Sequence, residues 1–133
     1  MEVKANSATR NRPDGERMLD APYVFTDIKA TIAQLKEEES WKKNDRNGIT
    51  IFKSEGLTIV LVVLHTSAKI DVNNTEGIMA IQVLQGKIKL STENEIVEIP
   101  ADRQQIITFH TDFNHDIEAM EESAVLLTVS EIR

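Results

Sequence analysis

The chain has 133 residues, of which 41% are hydrophobic and 28% are charged. This composition is that of one folded domain and excludes a wholly disordered chain. Lys and Arg number 15 against 22 Asp and Glu, and the formal net charge of −7 would repel a phosphate backbone, so we expect no nucleic-acid partner. The absence of Cys excludes disulfides, thiolate metal ligands and a catalytic thiol.

The beginning of the chain, up to about Met18, is mostly polar or charged and contains the turn signal Pro13-Asp14-Gly15. This composition predicts an arm or an edge strand that becomes ordered against a partner. The region has no apolar stretch typical of a signal peptide, and the longest apolar run, residues 59–64, is too short to cross a bilayer. We therefore expect a cytoplasmic protein without a membrane partner.

A short helix or an irregular lead-in is predicted after the arm. Asp27 is a suitable N-cap, and Ile28, Ile32 and Leu35 recur at helical spacing behind it. The acidic residues 37–39 are unfavourable for a helix C-terminus, because they do not complement the helix dipole. We divide the chain into an arm and lead-in, residues 1–40, and one domain, residues 41–133.

After Trp41 the pattern favours β structure. The run 57–64 is apolar at nearly every position, which predicts a strand that is buried on both faces. Further strands are predicted at 78–84, 87–90, 96–99, 105–109, 116–120 and 124–129. Turn signals occur at Asn47-Gly48, Glu55-Gly56, Asn73-Asn74 and Gln85-Gly86. Many short strands joined by close turns predict an all-β barrel or sandwich.

Several of these segments together resemble a known family. They are Trp41 with Arg46 and residues 49–54, Gly56-Leu57, residues 81–88, residues 115–119 and residues 123–129. In this order they resemble the small single-domain cupins of the RmlC-like kind, whose double-stranded β-helix closes antiparallel strands into a jelly-roll barrel. The resemblance spans residues 41–130. Independently of it, Gly86 is the residue that a tight turn between two barrel strands requires.

The resemblance also implies positions for a metal site. Metal-binding cupins have two His separated by one residue, then a Glu and the turn Gly, and one further His in a second motif. Counted back from Gly86, these positions are occupied here by Val72, Asn74 and Met79, and only His115 matches. One His cannot hold a divalent transition metal, which needs three or four convergent ligands. We therefore predict no bound metal and no other cofactor.

Three His remain to be interpreted. His115, at the mouth of a cupin-like barrel, could orient a small ligand or carry a proton, or it could be a half-buried side chain satisfied by a backbone carbonyl. His65 ends a very apolar strand, which favours a structural role, although it could also approach His115 from a neighbouring strand. His110 does not correspond to any His of the cupin metal-binding motifs. Trp41 is interpreted as a packing anchor, with an aromatic wall for a ligand as the alternative.

Two functions follow from this interpretation. The first is a metal-free cupin that binds a small molecule of unknown identity in its barrel, with His115, Asn74, Met79 and His65 as the candidate ligand-binding residues and no catalytic residue assigned. The apolar lining would come from Met79, Ile81, Val83 and Met120. The alternative is a metal-dependent enzyme of the dioxygenase or isomerase type, in which His115 and His65 join a carboxylate such as Asp71 or Glu76. The resemblance and the need to cover strand edges both imply a homodimer.

Overall fold

The computed structural model describes residues 4–6, 17–71, 77–112 and 115–131. Two helices, α1 (Ile28–Glu37) and α2 (Glu39–Lys43), follow the arm. The strands are β1 (Lys4–Asn6), β2 (Arg17–Asp20), β3 (Arg46–Ser54), β4 (Leu57–Leu64), β5 (Lys69–Ile70), β6 (Gly77–Gln85), β7 (Lys87–Ser91), β8 (Ile96–Pro100), β9 (Ile106–His110), β10 (Asp116–Ala119) and β11 (Ser123–Glu131). Neither helix is long and apolar enough to pass through a bilayer, within the residues described.

The strands form two antiparallel sheets that face each other. The larger sheet has five strands in the order β3-β4-β11-β6-β9, and the smaller has four in the order β5-β10-β7-β8. A separate antiparallel pair joins β1 and β2 in the arm. The chain crosses repeatedly from one sheet to the other, which is the arrangement of a jelly roll. The predicted all-β barrel is confirmed.

The core lies between the two sheets. Both sheets contribute apolar side chains to one interior cluster, which consists of Val62, Leu64, Ala68, Ile70, Met79, Ile81, Val83, Ile88, Ile99, Phe109, Ile117, Ala119 and Val125. Complete burial of an aliphatic side chain of this size stabilises the fold by about 1.5–3 kcal/mol. The interior cluster is therefore what holds the two sheets together.

A second cluster covers part of the outer surface of the larger sheet. It joins the two helices to this sheet and consists of Ile32, Leu35, Trp41, Ile49, Leu61, Val63 and Ala124. In β4, Val62 and Leu64 point into the barrel while Leu61 and Val63 point toward the helices, because successive side chains in a strand alternate between faces. The prediction that this strand is buried on both faces is confirmed.

The lead-in before the barrel forms the predicted helix and a second one that the sequence pattern did not indicate. Asp27 caps α1, since its carboxylate accepts a hydrogen bond from the backbone N–H of Ala30 at 3.0 Å. The helix ends at Glu37, and α2 begins two residues later and includes Trp41. The chain division at residue 40 thus lies within α2, and the boundary between lead-in and domain stays a prediction.

Two of the four predicted turns are confirmed and one is wrong. Gly56 and Gly86 have φ angles of +80° and +81°, which a side chain rarely adopts, and each joins two neighbouring strands. Asn47 and Gly48 instead lie inside β3. The Asn47 side chain donates a hydrogen bond to the carbonyl oxygen of Leu35 near the end of α1, and this bond holds the pair in the strand. The Asn73-Asn74 signal lies outside the described residues.

Candidate functional site

Burial of the inward-facing side chains differs between the two ends of the barrel. Near one end, inward-facing residues such as Leu64 in β4 and Val125 in β11 are completely buried. Toward the other end, the inward-facing Val60, Leu127 and Val129 are only half-buried, although they still pack against the interior cluster. We call this less buried end of the interior the cup.

His115 lies at the rim of the cup. It precedes β10, and it shares the inward face of Ile117 and Ala119 because the three residues are spaced by two. Its ring packs edge to face against Phe109, with the ring centroids 4.9 Å apart and the planes inclined by 60°. The imidazole is half-buried and retains access to solvent.

Phe109 connects this His to the interior. It stands directly opposite Met79 in the pairing of β6 and β9, and both side chains belong to the interior cluster. His115, Phe109 and Met79 thus form a continuous path from the rim to the core. A thioether and an aromatic ring adapt well to an apolar guest, whereas they are poor ligands for a hard divalent cation.

The described residues at the metal-site positions that the fold implies do not fit a metal ion. Met79 occupies the position of the Glu and lies inside an apolar cluster. Among the described residues, no group of three His, Asp or Glu side chains converges in a way that could hold an ion. Val72, Asn74 and Glu76 lie outside the described residues, and Asp71 is exposed. Within the described residues, the donor set therefore gives no basis for a metal-dependent step.

His65 and His115 contact different residues and lie in different parts of the structure. Its ring stacks on Trp41 of the outer cluster, and its Nε2 donates a hydrogen bond to the Trp41 carbonyl oxygen at 2.9 Å. Its backbone N–H bonds to the carbonyl oxygen of Asp45. These contacts hold His65 between α2 and the end of β4. The ring of His115, in contrast, packs against Phe109 of the interior cluster.

One ionisable group near His65 has a displaced pKa. The side-chain hydrogen bond from Arg46, 3.0 Å from Nε to Oδ1, lowers the pKa of Asp45, and the charges of Arg46 and His65 act in the same direction. Both partners of this pair are well exposed. The pair therefore belongs to the protein surface.

Three of the four residues predicted for the apolar lining face the interior of the barrel. Met79, Ile81 and Val83 all face the interior, as their spacing of two indicated. Met120 does not, since it follows the end of β10 and is exposed, with its backbone N–H bonded to the carbonyl oxygen of Lys87. Sequence reasoning missed Val60, Leu127, Val129 and Phe109 as cup residues. Their alternation with outward residues in β4, β9 and β11 was the available signal.

Solved structures resemble this fold over most of its length. A conserved protein of unknown function from Streptococcus pyogenes aligns with a TM-score of 0.61 over 98% of this chain and 99% of its own, at 17% identity. A cupin-2 domain containing protein from Shewanella frigidimarina aligns with a TM-score of 0.60 over 80% of this chain and 94% of its own, at 10% identity. A cupin superfamily protein from Desulfitobacterium hafniense aligns with a TM-score of 0.57 over 67% and 80%, at 13% identity.

No family model and no curated protein sequence matches the chain. The likeness therefore lies in the fold, and at these identities it does not extend to a function. The two facing antiparallel sheets and these structural neighbours show that the chain has the jelly-roll fold that cupins have. The resemblance inferred from the sequence is confirmed at this level.

Proposed function

We propose that this protein binds a small, largely apolar organic molecule in the cup, without a catalytic metal. The observation that carries the proposal is the loss of burial along the inward rows of β4 and β11, from complete at Leu64 and Val125 to partial at Val60 and Val129. Well-packed interiors leave few apolar side chains half-exposed without a reason. A guest in the cup would bury these side chains.

The chemistry of the cup supports an apolar guest with one polar group. The partly buried side chains that pack against the interior cluster here, Val60, Leu127 and Val129, are aliphatic, while Thr58 lies opposite Val129 on the same inward face. An imidazole such as that of His115 can take part in a hydrogen bond with a guest. Ligand pockets commonly combine an apolar wall with a few convergent polar groups. His115 would thus orient the molecule, and Phe109 would stack against it.

The proposal can be tested with 8-anilinonaphthalene-1-sulfonate, an apolar fluorescent anion, as the probe. Val129→Trp should fill the cup and reduce probe affinity at least tenfold, because the larger ring occupies the space of the guest. His115→Ala should weaken binding of the probe by about tenfold through loss of one hydrogen bond. Ile96→Trp is the matched control, since Ile96 lies on β8 and is 67% exposed outside the cup.

If the wild-type protein and Val129→Trp bind the probe with equal affinity, the probe binds outside the cup, and the proposal is contradicted. Elemental analysis of gently purified protein adds an independent readout. Stoichiometric iron, manganese, zinc or nickel that is lost in His115→Ala would favour the metal-dependent alternative. A large fall in melting temperature in His115→Ala would instead assign this His to the stability of the fold.

A further inference from the structure

One row of inward-facing residues crosses the whole larger sheet at the level of the cup. It takes one residue from each strand, in the order Lys53, Thr58, Val129, Met79 and Phe109. Residues that stand directly opposite each other in neighbouring strands project from the same face of a sheet. Met79 and Phe109 belong to the interior cluster and Val129 packs against it, so Lys53 also stands on the inward face. The row therefore carries a cation at its β3 end.

A β-bulge directs Lys53 to this face. The register between β3 and β4 shifts between Thr50 and Phe52. Thr50 lies opposite the inward-facing Val60, so strict alternation from Thr50 would turn Lys53 outward. The additional residue at the shift, Ile51, reverses the alternation beyond it, and bulges commonly re-aim a side chain in this way beside a functional site.

An acidic side chain reaches the same part of the cup from β11. Glu131 follows Val129 by two residues and therefore shares its inward face. Its backbone N–H donates a hydrogen bond to the carbonyl oxygen of Gly56 at 3.0 Å, and Gly77 lies opposite it on β6. These two adjoining residues present no side chain to the carboxylate of Glu131.

Lys53 and Glu131 border one cleft. It has a volume of about 230 Å³, and Thr58 and the turn residues 54–57 complete its lining. Both charged side chains are exposed, and neither takes part in an ion pair with another described residue. Two strands and two residues separate them, which places their Cα atoms about 12 Å apart. The two charged ends can therefore converge on one small group that lies between them.

We propose that the cup selects a small zwitterion with an apolar tail, the chemical class of a free α-amino acid such as leucine. This inference rests on the proposed function, since the tail occupies the cup. The ammonium of Lys53 donates to the carboxylate of the guest, and the carboxylate of Glu131 accepts from its ammonium. The tail lies against Val129 and Leu127, which are half-buried without it.

The pair of opposite charges distinguishes a zwitterion from other guests. An anion is attracted by Lys53 but repelled by Glu131 and by the net charge of −7, and a cation is repelled by Lys53. A neutral apolar molecule gives neither charge a partner. A zwitterion gives a partner to both, and hydrogen bonds between charged groups are stronger than those between neutral ones. The charges therefore determine specificity, while the apolar wall contributes affinity.

Three probes that share one branched apolar tail test this proposal. They are leucine, 4-methylpentanoate, which lacks the ammonium, and 3-methylbutylamine, which lacks the carboxylate. In calorimetric titrations of the full chain, leucine should bind at least about fivefold more tightly than either of the others. Lys53→Met should remove this advantage without weakening 3-methylbutylamine. Glu131→Gln should remove it without weakening 4-methylpentanoate.

Lys29→Met and Glu55→Gln are the matched controls. Lys29 is exposed on α1, which covers the outer surface of the larger sheet. Glu55 borders the cleft from the turn between β3 and β4 and belongs to no inward row. Neither change should alter the affinity for leucine by more than about twofold, since neither side chain touches the guest. Lys53→Arg keeps the cation and should retain most of the affinity.

Equal affinities for leucine and 4-methylpentanoate would overturn the proposal. An affinity for leucine that is unchanged in Lys53→Met or in Glu131→Gln would do the same, as would a loss that only Glu55→Gln causes. Both side chains of the pair are exposed, so the circular dichroism spectrum of these variants should not change. Failure of the proposed function has a different signature: none of the three probes binds, and Val129→Trp leaves the binding of 8-anilinonaphthalene-1-sulfonate unaltered.

Discussion

The imidazole ring of His65 lies flat on the indole ring of Trp41, with the ring centroids 3.4 Å apart and the planes inclined by 13°. The bond from His65 Nε2 to the Trp41 carbonyl oxygen at 2.9 Å fixes the same two residues a second time. Together they join the end of β4 to α2. Both the packing role preferred for Trp41 and the structural role preferred for His65 agree with this contact.

His65→Ala should destabilise the protein by about 1–3 kcal/mol, because it removes one ring stack and one partly buried hydrogen bond. Chemical denaturation followed by circular dichroism measures this loss. Trp41 is the single Trp, so its emission should shift to longer wavelength as water replaces the imidazole. His65→Phe keeps the stack and loses only the bond, and it should cost less. Unchanged stability and emission in His65→Ala would contradict this account.

Gly56 and Gly86 form a matched pair for a test of turn strain. Their φ angles are nearly equal, but a Cβ at Gly56 would meet nothing within 4 Å, whereas one at Gly86 would lie 2.8 Å from the Cα of Ser123 and would also clash with Glu122. Gly56→Ala should therefore cost only about 1 kcal/mol for the left-handed backbone.

Gly86→Ala should cost several kcal/mol, since the backbone around Ser123 must move as well. Thermal melting of both variants measures the difference. Equal losses of stability in the two variants would show that the turn between β6 and β7 can accept a Cβ without strain.

Asp45 provides a pH-dependent prediction. Its pKa in the folded protein lies below the ordinary value of 3.8, so its pairing with Arg46 stabilises the fold fully above pH 3.8. This contribution disappears as the pH falls through the lowered pKa. Because both side chains are exposed, we expect Asp45→Asn to cost no more than about 0.5 kcal/mol at neutral pH. Urea denaturation at neutral pH and well below pH 3.8 should show the difference between the two proteins shrinking toward zero. A difference that grows in acid would contradict the assignment.

Local signals accounted for much of the fold. The Asp27 cap, the left-handed glycines at 56 and 86, and the alternation within β6 each depend on neighbours in the chain, and each prediction is confirmed. The short strand β5 and helix α2 carried no periodic pattern long enough to recognise. Their existence depends on partners that are distant in sequence.

Asn47 shows why a turn signal can be wrong. Its Nδ2 donates to the carbonyl oxygen of Leu35 and to the carboxylate of Glu38, each at 2.9 Å, and its Oδ1 accepts from the N–H of Gly48 at 3.0 Å. These bonds tie the end of α1 to β3 and satisfy a buried amide. A pair of residues that favours a turn in isolation is thus held in a strand by a helix that precedes it.

The sequence by itself determined the class of fold, because turns and strand alternation are properties of consecutive residues, whereas it left open which strand faces point inward. Only the tertiary structure decided what surrounds His115. Phe109, Val60 and Val129 reach the cup from three strands of the larger sheet, and a spacing of two cannot tell which strands become neighbours. Strand order follows from burial of the whole apolar surface at once, and no single segment contains that information.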